Sequence, residues 1–83
     1  MIEFNPNAAG NVIKRIRKEK GQSQEVCSGL AGIARSHLAM IENHDKSPNF
    51  ETIWKISCAF GMKPNELVSE IEIECEKLKK SKN

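Results

Sequence analysis

Apolar residues recur along this chain at helical spacing, in short pieces cut apart by turn residues. Asn5-Pro6-Asn7 opens the first piece and Gly21 ends it. Between them Ala9, Val12, Ile13 and Ile16 form one stripe, which predicts a helix over about 7–20. Lys18 and Lys20 in its last turn suit the negative end of the helix dipole, and Gly21 can take a left-handed cap. Ser23 is a good N-cap for a second helix over about 23–31. Its apolar side is Cys27, Leu30 and Ala31 with Val26 beside them, and Gly29 weakens its interior. Gly32 then permits a sharp turn. A third helix is expected over about 35–43, with Leu38 and Ile41 facing one way and Ala34 where a capping hydroxyl would help. A polar loop leads to Asn49, which reads as an N-cap. The fourth helix, about 49–60, should bury Phe50, Ile53, Ile56 and Phe60, and Gly61 closes it. Pro64 suits the first turn of a fifth helix over about 64–79. Ile71 to Cys75 alternate in polarity, but they sit inside a run of good helix formers, so no strand is expected. Residues 81–83 read as a disordered tail. The fold class is therefore all-α, with five helices in a single domain spanning 1–83.

The chain's 83 residues limit it further. A domain of this size buries only about 60% of its unfolded surface, too little for a two-domain enzyme or a Rossmann unit. Phe4, Phe50, Trp54 and Phe60 are the only aromatics, which argues against a base-stacking sheet platform. No stretch approaches the length of a membrane span, and the N-terminus lacks an export pattern. Cys27, Cys58 and Cys75 are odd in number and widely spaced, which fits neither a disulfide framework nor a zinc site and points to a reducing cytoplasm. His37 and His44 have no partner at metal-ligand spacing, so neither metal nor other cofactor is expected. Charge is uneven. Lys14, Arg15, Arg17, Lys18 and Lys20 crowd the first helix, while Glu66, Glu70, Glu72, Glu74 and Glu76 line the fifth. Charge runs are usually solvated helix faces. The basic run could instead meet phosphate, whereas the acidic run would turn any nucleic acid to the other side.

Two short helices joined by a tight Gly-containing turn make a helix-turn-helix over 23–43. In that motif the second helix enters the major groove and the first crosses the backbone. The segments VIKRIRKEKGQSQE, GIARSHLAMIEN and SPNFETIWKISCAFGM resemble the Xre/Cro/lambda-repressor-like helix-turn-helix proteins of bacteria and phages. Gln24 and Glu42 keep the family's spacing of eighteen residues. The short length, the closing helix and the recognition helix also look like the controller proteins of restriction–modification systems. The resemblance implies base contacts from Arg35, Ser36, His37, Ala39 and Met40, and phosphate contacts from Ser23, Gln24, Asn43, Lys46 and Ser47. It implies that Arg17 and Glu42 form a structural pair joining the first and third helices. Arg35 is the residue best able to specify a base, because a bidentate contact to guanine is worth roughly 1–3 kcal/mol of discrimination. His44 stands where the family commonly has Gly; if the backbone there has φ > 0, His tolerates it better than most residues.

Val68, Ile71, Cys75 and Leu78 are spaced like a heptad seam. A small domain has little core to cover so long a helix. The seam, with Trp54 and Cys58, is therefore expected to form a homodimer interface. The expected function is a cytoplasmic, nucleoid-associated regulator of transcription. It reads double-stranded DNA as a homodimer on a near-palindromic operator. Nothing in the chain makes a nucleophile–base pair, phosphate loop or carboxylate dyad, so no enzymatic activity is expected. Two other readings stay open. One is a protein-interaction module, antitoxin-like or anti-regulator, that keeps the fold and uses Val26 and Leu30 if they are exposed. The other is a nonspecific nucleoid binder, which the modest net charge of +2 disfavours.

Overall fold

The computed structural model describes residues 2–81. Five helices follow in order: α1 (Ala8–Glu19), α2 (Gln24–Ala31), α3 (Arg35–Glu42), α4 (Phe50–Ala59) and α5 (Pro64–Lys80). Of the tail expected at 81–83, Ser81 closes α5, its hydroxyl donating to the Leu78 carbonyl at 3.0 Å. Residues 82 and 83 lie outside the described residues.

Side-chain caps set two of the helix starts. Ser23 Oγ accepts from the Val26 N–H at 3.0 Å, and Asn49 Oδ1 accepts from the Thr52 N–H at 2.8 Å. At α5 the Glu66 carboxylate reaches back to the Lys63 N–H at 2.8 Å. Ala34 caps α3 without a side-chain bond, as its sequence dictates. One device ends α1, α2, α3 and α4. A residue at positive φ turns the chain, and the next N–H reaches back five residues to a carbonyl: Gln22 to Arg17, Ile33 to Ser28, Asp45 to Met40 and Met62 to Ser57. Gly21, Gly32 and Gly61 occupy that left-handed position at three of the ends. The fourth holds His44, at φ 69°.

The core is one cluster to which every helix contributes. Val12, Ile13 and Ile16 of α1 meet Cys27 and Ala31 of α2, Leu38 and Ile41 of α3, Ile53 and Ile56 of α4, and Leu67 of α5. Two residues expected in it point outward. Leu30 is 61% exposed and Phe50 is 77% exposed. The short α2 buries only the narrow arc of Cys27, Ser28 and Ala31, and Leu30 falls beyond its edge. Phe50 opens α4 on the outer side, in line with Trp54 one turn on.

The seam expected on the last helix is also redirected. Cys75 is buried within this chain, where its Sγ accepts from the Asn5 N–H at 3.4 Å. Ile71 packs on the core and Leu78 is half-buried, leaving Val68 as the exposed member. The cause is that α5 lies along both α1 and α4, so this chain's own helices cover most of it.

Gly10 marks where α1 touches the end of α3. A methyl group built there would sit 2.2 Å from the Ile41 carbonyl oxygen. Gly10→Ala should therefore destabilise the fold by about 1–3 kcal/mol, because overpacking outweighs alanine's better helix propensity. Gly29 of α2 faces open space, so Gly29→Ala should stabilise by up to about 1 kcal/mol. Urea denaturation of both variants checks the opposite signs.

Candidate nucleic-acid interface

Only one side of α3 is committed to the core, through Leu38, Ile41 and Glu42. The other side presents Arg35, Ser36, Ala39 and Met40 at helical spacing, with Asn43 following on the same side. Arg35, Ser36 and Met40 are exposed and Ala39 is half-buried. His37 is half-buried at the margin of this face rather than at its centre. The loop after α3 carries Asn43, Lys46 and Ser47, all exposed. Ser23 and Gln24 stand at the N-terminus of α2, where free backbone N–H groups and the helix dipole favour an anion. The ten residues expected to touch DNA thus come from three adjoining segments: the start of α2, the outer face of α3 and the loop behind it.

A buried ion pair fixes α3 in place. Arg17 and Glu42 are 7% and 5% exposed. Arg17 Nε donates to Glu42 Oε2 at 2.7 Å and its Nη2 to Oε1 at 2.9 Å, a two-pronged contact. Nη1 donates to the Gln22 carbonyl at 2.7 Å. Gln24 Nε2 then donates to Glu42 Oε1 at 3.1 Å, so α1, α2 and α3 share one carboxylate. The second Nε2 hydrogen of Gln24 remains for another acceptor. Hydrogen bonding to Glu42 holds the Arg17 guanidinium above its ordinary pKa, although burial pulls the other way. Burial, aided by the Glu42 charge and opposed by Arg17, pushes the Cys27 thiol up. Cys27 is thus a packing residue rather than a thiolate.

Two members of the basic run of α1 are paired, while Lys14, Lys18 and Lys20 stay exposed. Arg17 is used by Glu42, and Arg15 Nη2 donates to Glu70 Oε1 of α5 at 2.8 Å. Hydrogen bonding to Glu70 raises the Arg15 pKa. Sequence reasoning missed two long-range tethers. Gln22 Nε2 donates to the Ala59 carbonyl at 3.1 Å. Asn11 joins His44 at 2.8 Å to Glu74 at 3.0 Å. The only sequence signal at Gln22 was a polar residue beside the α2 cap. At His44 it was a side chain in place of Gly. Among the described residues no group of three His, Cys, Asp or Glu side chains could hold a metal ion, and no helix is long and apolar enough to cross a membrane.

The helix-turn-helix family model matches residues 13–67. The HTH-type transcriptional regulator PuuR of Escherichia coli K12 is 32% identical over 65 residues, covering 78% of this chain and 35% of the relative. The chain therefore spans about a third of that protein's length. The crystal structure of the restriction–modification controller protein C.AhdI from Aeromonas hydrophila superposes with a TM-score of 0.71 at 29% identity, covering 75% of this chain and 94% of that one. A point mutant of the controller protein C.Esp1396I gives 0.81 at 23% identity over 93% and 98% of the two chains, a likeness of fold.

The ion pair makes a test of the scaffold. Arg17→Met should cost about 3–5 kcal/mol, because Glu42 keeps a buried charge without a counter-charge. The double variant Arg17→Met, Glu42→Leu should recover most of that loss. Chemical denaturation of the three proteins gives the comparison, and equal loss in single and double variants would contradict it.

Proposed function

This chain belongs to the helix-turn-helix family of transcriptional regulators, and we propose that it reads double-stranded DNA through α3 as a homodimer. The observation that carries this reading is the outer face of α3, free of core duty and held rigid from behind by the buried Arg17–Glu42–Gln24 network. Arg35, first residue of that helix and exposed, would reach a guanine edge. Ser36 can meet either a donor or an acceptor, and Ala39 and Met40 can touch a thymine methyl. His37 contributes at the edge of the contact. Ser23, Gln24, Asn43, Lys46 and Ser47 fix register on the phosphates without reading sequence. Occupancy of the operator would then control a promoter.

The dimer face we favour is not the seam of α5 alone. Phe50 and Trp54, the latter 59% exposed, form an outer stripe on α4 with Cys58 one turn further. Ile2, Phe4 and Val68 continue this apolar surface across the N-terminal arm and α5. Such a contiguous patch is what a second copy can cover. A two-fold arrangement sets the two recognition helices about 34 Å apart, one turn of DNA, and calls for a near-palindromic operator. A second reading rests on α2. Val26 is 51% exposed and Leu30 stands out one turn later, an apolar pair suited to a protein partner.

Selection of bound duplexes from a random library at about 0.15 M salt should enrich a symmetric motif. Arg35→Ala should then lose one base preference, worth about 1–3 kcal/mol. No enrichment would remove operator reading and leave the α2 surface as the place to seek a partner. Trp54→Glu should raise the dimer's dissociation constant roughly tenfold or more, as loss of a central aromatic does. Sedimentation equilibrium reads that change, and an unaltered dimer would move the interface elsewhere.

A further inference from the structure

We propose that His44 is a positioning residue. It holds the loop after the recognition helix against α1 through Asn11, and so presets the phosphate donors Asn43, Lys46 and Ser47. This rests on the DNA-reading function proposed above and adds to it the element that aims those donors.

His44 fills the left-handed cap that Gly21, Gly32 and Gly61 fill elsewhere. A side chain at φ 69° is disfavoured, so the position gains from having one only if the side chain makes a contact. It does. His44 Nε2 lies 2.8 Å from Asn11 Oδ1. Asn11 Nδ2 donates to Glu74 Oε2 at 3.0 Å, which assigns its Oδ1 as the acceptor and His44 Nε2 as the donor. The bond therefore forms with either the neutral Nε2–H ring or the imidazolium, and protonation does not break it.

The residues around the ring explain why the contact constrains the loop. Gly10 brings α1 against both the Ile41 carbonyl and the His44 ring, whose Cδ2 would be 3.1 Å from a methyl built there. The Asp45 N–H returns to the Met40 carbonyl at 2.8 Å, and the Lys46 N–H to the same oxygen at 3.3 Å. The loop is thus fastened at the end of α3 by backbone and at α1 by one side chain. Asn43, Lys46 and Ser47 lie within three positions of that anchor. Without it, the loop keeps its cap but loses its tie to α1, and binding must order it.

His44→Asn keeps a residue that accepts positive φ but is too short to reach Asn11, and Asn11→Ala removes the acceptor. Two readouts apply to the full chain. In the free protein, amide exchange at 43–47 should quicken in both variants while α1 and α4 stay protected, with thermal midpoints within a few degrees of the parent. With the duplex selected by the parent protein, each variant should bind about three- to tenfold more weakly, the worth of one hydrogen bond. The double variant should be no weaker than the worse single one, because both remove the same contact. Unchanged exchange in the loop, unchanged affinity, or multiplied effects in the double variant would each overturn the proposal. A parent protein that binds no duplex would instead overturn the DNA reading, and exchange alone would then decide whether His44 holds the loop.

Discussion

The guanidinium of Arg17 and the carboxylate of Glu42 meet where neither could remain alone. Removing two charges from water costs several kcal/mol for each ion, and only good geometry with every remaining donor and lone pair used can offset it. Here the geometry is two-pronged, and the spare groups go to the Gln22 carbonyl and the Gln24 amide. A lysine could not replace Arg17, because its single ammonium cannot span both carboxylate oxygens and a carbonyl in a fixed fork. Such a pair is not the cheapest way to stabilise a small core. What it supplies is direction. Glu42 ends α3, Arg17 lies near the end of α1, and Gln24 begins α2. An apolar contact among these helices would allow sliding, whereas three directional bonds to one carboxylate do not. The outer face of α3 inherits its orientation from that junction.

Much of this was legible along the chain. Turn residues and caps are local, so the breaks at Gly21, Gly32 and Gly61 and the starts at Ser23 and Asn49 place the helices within a residue or two. The buried stripe of α1 was equally plain, because its twelve residues give helical spacing enough turns to declare itself. The shorter helices were harder. Eight residues of α2 contain six apolar or small candidates, and spacing alone could not say that the buried arc takes Ser28 and leaves out Leu30. Phe50 failed for a related reason. It sits at the first position of α4, where a side chain can turn either way, and large aromatics are read as core by default. The Arg17–Glu42 pair was accessible only through family resemblance. The His44–Asn11–Glu74 chain was not accessible at all, since Asn11 lies 33 and 63 residues from its two partners and no local signal links them.

The last helix shows how a seam can be taken up mostly within its own chain. Val68, Ile71, Cys75 and Leu78 do form a seam, but a seam records only that something apolar faces it. A chain this short suggests too little core for so long a helix. In fact α1 and α4 leave a trough between them, and the N-terminal arm closes over Cys75, held by the Asn5 bond and by Glu3 against Lys79 at 3.2 Å. With α5 covered from within, the exposed apolar surface centres on α4, where Phe50 and Trp54 remain largely open among the described residues.

These contacts give α1 a role that its position in the chain does not advertise. Gly10 and Arg17, seven residues apart and therefore on nearly the same side, face α3: one by close backbone approach, the other by the buried pair. Asn11 and Arg15, four residues apart, face α5 and meet Glu74 and Glu70. One ion pair, Arg15 to Glu70, thus joins the basic row of α1 to the acidic row of α5, while most of both rows stays exposed. A helix that anchors α3 on one side and the apolar-faced half of the domain on the other acts as a strut. The distance and angle between α3 and the α4–α5 surface then follow from α1; in the proposed dimer the separation of the two α3 helices would follow from it as well.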